Sequence, residues 1–298
     1  MDIKIPKNYK SGYVSIIGLP NSGKSTLLNA LLDIKLSIIS ARPQTTRKKV
    51  LGILSGEDYQ VVFIDTPGII KPKYKMQEKL MEYVEDATQD ADILLFIVDV
   101  TTRKHPVEID FKSLNPGEKP LICLLNKIDL IHKGDILPLI SAYEKAYEFK
   151  TIIPISATLQ DGMNDLRREL VNLLPKGLPY YPPDLITDQP ERFFVSEIIR
   201  EKIFRYYKDE IPYSTEVMIE EFKERKNGKD YIYAVIYVER TSQKSIIIGK
   251  NGAALKSIST SARKDIEEFL GRKVYLEVRV KVLEKWRKNE LKLKRFGY

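Results

Sequence analysis

Five prolines fall within the sixteen residues from Pro175 to Pro190, "PKGLPYYPPDLITDQP". Each fixes its own φ and removes a backbone donor, so neither a helix nor a central strand can run through the stretch. It is expected to be extended and to join two folded units, and 298 residues suit two domains. The chain accordingly reads as a first domain over 1–176, a linker over 177–190 and a second domain over 191–298.

The patterns on the two sides differ. Before the prolines, the short apolar runs "YVSIIG", "QVVFID", "ILLFIVDV", "PLICLLNK" and "TIIPISA" alternate with helical stretches, one from about Lys24 and another over "MQEKLMEYVEDATQ". Near-continuous apolar strands with helical crossovers predict an α/β fold: a mostly parallel sheet with helices on both faces. After the prolines the order is a helix, "ERFFVSEIIREKIFRYYK", two strands joined by "KNGKD", a helical turn, a second helix and the strand "KVYLEVRVKV". That is an α+β domain in the order α-β-β-α-α-β, closed by the basic tail "LEKWRKNELKLKRFGY".

A lone cysteine, Cys123, cannot form an internal disulfide and is expected to be a packing residue in a reducing compartment. The first residues lack the basic, apolar and small-residue series of a signal peptide, and the longest apolar runs are too short to span a bilayer, so a cytoplasmic protein is expected. The net charge of +8 is unevenly placed. From Thr241 to Tyr298 there are 15 basic and 6 acidic residues, against 34 and 35 in the rest of the chain. A surplus confined to the last fifth of the chain attracts polyanions: RNA, DNA or an acidic membrane surface.

Gly18-Leu19-Pro20-Asn21-Ser22-Gly23-Lys24-Ser25 has the spacing G-x-x-x-x-G-K-[ST] and lies between an apolar strand and a helix that begins with Lys24, Ser25 and Thr26. Such a loop turns its backbone N–H groups toward phosphate oxygens. Lys24 should reach the β- and γ-phosphates, and the Ser25 hydroxyl should ligate Mg²⁺. Asp65-Thr66-Pro67-Gly68 ends a strand, where its carboxylate can hold Mg²⁺ and the Gly68 N–H can approach the γ-phosphate. Asn126-Lys127-Ile128-Asp129 ends a later strand. Its aspartate can accept from guanine N1–H and the exocyclic amine, donors that adenine lacks in that place. Ser156 and Ala157 follow the next strand, where backbone can meet guanine O6. Four such pieces, each at the carboxyl end of a strand, predict GTP and GDP binding.

Together with the second domain, these motifs resemble the Era family of bacterial ribosome-assembly GTPases, over nearly the whole chain. The resemblance implies a P-loop GTPase domain followed by a type II KH domain. It also implies that one threonine of Thr45-Thr46, with Thr46 favoured, closes onto Mg²⁺ beside Ser25 and Asp65, and that Lys24, Thr46 and Gly68 serve catalysis. Asn21 matches an asparagine that helps some related GTPases hold K⁺ near the phosphates. Many GTPases orient the attacking water with a glutamine after D-x-x-G; here Ile69 stands there, so turnover is expected to be slow, of the order of 10⁻² s⁻¹ or below.

A second glycine loop, Gly249-Lys250-Asn251-Gly252, lacks the phosphate-loop spacing. It sits in "IIIGKNGAALKSI", between helical segments, and resembles the loop with which KH domains clamp the backbone of single-stranded RNA. Ile248 in the adjoining groove and Lys256, with Arg263 further along, are the accompanying candidate contacts. The resemblance implies a monomer acting on the 3′ end of 16S ribosomal RNA in small-subunit maturation, with peripheral association at the cytoplasmic face of the inner membrane. An alternative is a GTPase acting chiefly through a protein or membrane partner of the basic domain. A metabolic kinase is disfavoured, because Asp129 selects guanine and no acceptor site is visible.

Overall fold

The computed structural model describes residues 6–38, 45–102 and 117–298, which divide into two compact units at Asp188–Gln189.

The first unit is built on a six-stranded sheet in the order β2-β3-β1-β4-β5-β6. Strands β1 (Lys10–Ile17), β3 (Tyr59–Asp65), β4 (Ile93–Asp99), β5 (Leu121–Asn126) and β6 (Thr151–Ile155) run parallel. Their apolar runs are buried because helices cover the sheet: α1 (Lys24–Leu32), α2 (Lys75–Asp90), α3 (Ile136–Ala146) and α4 (Met163–Leu173). The sequence pattern did not reveal β2 (Val50–Ser55), an edge strand antiparallel to β3. The phosphate loop lies at the end of β1, Asp65 at the end of β3, and Asn126 at the end of β5. Parallel pairing therefore brings the motifs together at the carboxyl ends of the strands.

The proline-rich segment is extended but not loose. Leu178 O accepts from Ser11 Oγ at 2.7 Å, and Ile186 O from the Ile53 N–H of edge strand β2 at 2.8 Å. Buried Gln60 holds its middle: Oε1 accepts from the N–H groups of Tyr180 and Tyr181, and Nε2 donates to Tyr181 O.

The second unit packs α5 (Glu191–Tyr206), α6 (Thr241–Ile248) and α7 (Ala253–Leu270) on a sheet ordered β7 (Glu216–Lys223), β8 (Asp230–Val238), β9 (Val274–Val282). Strand β8 is antiparallel to β7 and parallel to β9, which is the predicted α-β-β-α-α-β arrangement. Its core joins Ile199 and Ile203 of α5, Ile232 and Ile236 of β8, and Ile266 of α7. Lys202 pairs with Asp265 across α5 and α7, and Arg272 bonds Asp230 and Glu191.

The basic tail is part of this packing. Trp286 is fully buried, donates from Nε1 to Ser214 O at 3.0 Å, and meets Phe296 of a final helix, α8 (Glu290–Phe296), edge-on. Arg287 is bound to Glu239 and Glu210, so not every cation counted in the charge surplus is available to a polyanion.

Candidate functional site

The turn from β1 into α1 is braced from several sides. A Cβ on Gly18 would lie 2.4 Å from Ile97 O, and one on Gly23, at φ 104°, would lie 2.2 Å from Asn126 Nδ2. Lys24 is buried, and its ammonium donates to the carbonyls of Gly18 (3.1 Å) and Leu19 (2.9 Å). Burial pushes its pKa down to about 8, partly offset by Asp65. A phosphate group would supply the counter-charge this ammonium lacks.

Three predicted metal ligands meet beside it. Ser25 Oγ donates to Asp65 Oδ2 at 2.8 Å and lies 2.9 Å from Thr46 Oγ1, which is itself 3.4 Å from the same carboxylate oxygen. Between the two candidate threonines, Thr46 joins this cluster. Asp65 is fully buried, and burial raises its pKa against the hydrogen bond from Ser25 and the charge of Lys24. Its other oxygen, Oδ1, has no hydrogen-bond partner among the described residues. Residues 39–44, immediately before Thr45 and Thr46, lie outside the described residues.

The turn after β3 divides its work. Thr66, predicted to touch nucleotide, spends its hydroxyl on Ile16 O at 2.7 Å and is buried. Pro67 is buried behind it, and Ile69 N–H donates to Gly18 O at 3.0 Å. The half-buried Ile69 side chain packs against the core cluster containing Phe96 and Val84.

Asn126 acts as a staple. Its Nδ2 donates to Ser22 O at 2.8 Å, and its Oδ1 accepts from Ala157 N–H at 3.0 Å. The predicted partner for guanine O6 is thus already engaged, tying the last loop to the first. Ser156 is buried, and its hydroxyl accepts from Leu159 N–H at 3.2 Å. Lys127, at φ 72°, donates to Asn21 O at 3.0 Å and to Asp99 at the end of β4. Asp99 was not singled out in the sequence: one acidic residue closing an apolar strand carries no distinguishing signal. Ile128 is half-buried, whereas Asp129 is exposed and has no hydrogen-bonding partner among the described residues. Its carboxylate is available to a ligand.

In the second unit, the loop between α6 and α7 is left-handed at Gly249 (φ 70°), Asn251 (φ 51°) and Gly252 (φ 76°). A Cβ on Gly249 would collide with Ala254 Cβ at 2.7 Å, while one on Gly252 would meet nothing within 4 Å among the described residues. Lys250, Asn251, Lys256 and Arg263 are exposed. Of the three isoleucines ahead of the loop, Ile247 is buried and Ile248 packs half-buried against the core, while Ile246 is 51% exposed. Ile246 is the apolar side chain most open beside the loop, a distinction that the run "III" does not make.

The chain matches two family profiles: "50S ribosome-binding GTPase" over residues 13–127 and "KH domain" over 210–287. It is 48% identical to the GTPase Era of Geobacter sp. (strain M21), covering 98% of this chain and 99% of that one. It is 46% identical to a chloroplastic GTPase ERA-like protein of Oryza sativa subsp. japonica, over 98% of this chain and 70% of the relative. A crystal structure of an Aquifex aeolicus Era variant bound to GDP and AlF4⁻ superposes with TM-score 0.93 at 40% identity, covering 97% and 99% of the two chains. A structure of Era with MgGDPNP and nucleotides 1506–1542 of 16S ribosomal RNA gives the same TM-score at 41% identity and the same coverage. With both domains present in order, and near-complete coverage on both sides, the chain belongs to the Era family of GTPases.

Proposed function

We propose that this GTPase is a guanine-nucleotide switch whose second unit holds the single-stranded 3′ end of 16S ribosomal RNA during small-subunit assembly. The observation that carries the nucleotide half is the meeting of Ser25, Thr46 and Asp65 beside a buried, under-neutralised Lys24. Two hydroxyls and one carboxylate, with one oxygen unpartnered among the described residues, suit Mg²⁺, which takes few protein ligands and completes its shell with phosphate oxygens and water. Bound there, the ion would neutralise charge on the β- and γ-phosphates.

The chain's own residues do the rest. Loop amides and Lys24 hold the phosphates, the Gly68 N–H lies on the turn that reads the third one, and Asp129 accepts from guanine. Ile69 has no polar atom to orient a water, which supports a slow intrinsic rate. Asn21 is exposed on the loop; with K⁺ bound beside it, hydrolysis would run faster in K⁺ than in Na⁺. In the second unit, the left-handed loop and the exposed Lys250 and Lys256 suit a sugar-phosphate backbone, with Ile246 and Ile248 beside it for bases. GTP would favour the RNA-competent state and hydrolysis would release it, a population shift.

The test is binding of a labelled 16S 3′-end oligonucleotide, with GTP analogue and with GDP, at fixed salt. Gly252→Asp should weaken RNA at least ~10-fold by placing a carboxylate against phosphate, with GTP hydrolysis retained. Unchanged affinity would remove the RNA half of the proposal.

A further inference from the structure

The Lys127 ammonium joins two pieces of the site that are distant in sequence. It donates to the backbone carbonyl of Asn21 in the phosphate loop at 3.0 Å and to the Asp99 carboxylate at the end of β4. Both residues it connects in the loops are non-glycines in left-handed backbone, Asn21 at φ 65° and Lys127 at φ 72°. Such conformations are costly and persist where the surroundings impose them. The surroundings here are polar and well defined. Asp99 pairs in register with Asn126, and Val100 N–H donates to Asn126 O at 3.1 Å. The second carboxylate oxygen, Oδ1, accepts from Thr101 N–H at 2.9 Å and from Thr101 Oγ1 at 2.6 Å. The two side chains are 12% (Asp99) and 29% (Lys127) exposed, so the pair is only partly screened. Burial alone would raise the Asp99 pKa, but the hydrogen bonds from Lys127 and Thr101 hold it below the ordinary carboxylate range.

We propose that Asp99 is a positioning residue for guanine nucleotide: by anchoring Lys127, it holds the base-reading loop and the phosphate loop at a fixed separation. The assignment rests on the guanine-nucleotide reading above. An ammonium has three donors, and the Asn21 carbonyl is a neutral acceptor that cannot define its direction alone. The ionised Asp99, immobilised by Thr101, supplies a stronger second bond and fixes the line along which the Lys127 stem runs. That stem starts two residues before Asp129 and ends at the loop that holds the phosphates. Losing the anchor leaves both contacts to the nucleotide intact but uncorrelated. Binding therefore weakens through faster release, while the chemistry on the bound nucleotide is untouched.

The test is release of a fluorescent GDP from the full chain, with single-turnover GTP hydrolysis measured alongside. Asp99→Asn should speed release about tenfold, leave the single-turnover rate within about twofold, and be partly rescued by Asp99→Glu. In a Lys127→Met background Asp99→Asn should add less than about twofold, because its partner is already gone. Thr101→Val, which keeps the charge but removes one bond that steadies it, should speed release by about two- to threefold and covers the case of an Asp99 variant that fails to fold. Unchanged release in Asp99→Asn, or an equal effect in the Lys127→Met background, overturns the assignment. Wild-type protein that does not bind GDP would instead overturn the reading on which it rests.

Discussion

The phosphate loop and the Gly249–Gly252 loop are both glycine-containing turns that open a helix, but they are supported differently. Around Gly18 and Gly23 the space is filled: Ile97 O and Asn126 Nδ2 stand where a side chain would go. Around Gly252 nothing among the described residues lies within 4 Å of an added Cβ, and Lys250 and Asn251 are exposed. The first turn is held by buried partners from two other strands, β4 and β5, as suits a ligand of fixed shape. The second is held mainly by its own backbone and by the helices on either side. A loop for a polymer needs access along its length, and solvent-facing glycine provides that.

Perturbing the scaffold behind each loop sharpens the contrast. Trp286→Ala removes the fully buried indole under the C-terminal tail and should cost the second unit about 3–5 kcal/mol, read from chemical denaturation. Nucleotide affinity in the first unit should stay within about twofold, and a parallel loss of nucleotide binding would break the separation. Gly23→Ala drives a methyl into Asn126 and should cost about 2–4 kcal/mol along with measurable nucleotide binding. Gly252→Ala meets only left-handed strain and should cost about 1 kcal/mol. Equal effects at the two glycines would erase the difference in support.

Asp129→Asn replaces an acceptor with a donor toward the guanine amine and should weaken GDP roughly 100-fold, with recovery on a xanthine nucleotide, whose carbonyl accepts instead. The smallest effect lies away from both loops. Asp230 is held below the ordinary carboxylate range by the hydrogen bond from Arg272, so it stays ionised in the folded chain where the unfolded side chain already takes up a proton. Its stabilisation is complete above about pH 5 and is lost as the pH falls through the depressed value. The stability gap between wild type and Asp230→Asn should be flat from pH 8 to about 5 and should close below about 4.

The nucleotide motifs could be read in the sequence because each combines a backbone need with a chemical one, and strand order then places them together. What stayed hidden was pairing. The strand "VLGILS" follows a polar segment, and its partner is chosen by the β3 edge, not by its own pattern. Asn126 and Thr66 were read as nucleotide contacts; their side chains also tie the end of β5 to the phosphate loop and the turn after β3 to strand β1, a role that only tertiary neighbours define. Asp99 was missed for the same reason. The tail was read by its charge, which gave no weight to Trp286, Leu293 and Phe296, the residues that seat it.

Cys123 sits at the middle of β5, fully buried, and burial pushes its thiol pKa up. A sulfur so enclosed is silent toward labelling reagents while the sheet is intact. Fluorophores attached to cysteines introduced on the two glycine loops can therefore report on distance without first deleting the native thiol, and any labelling of Cys123 itself becomes a built-in alarm for unfolding.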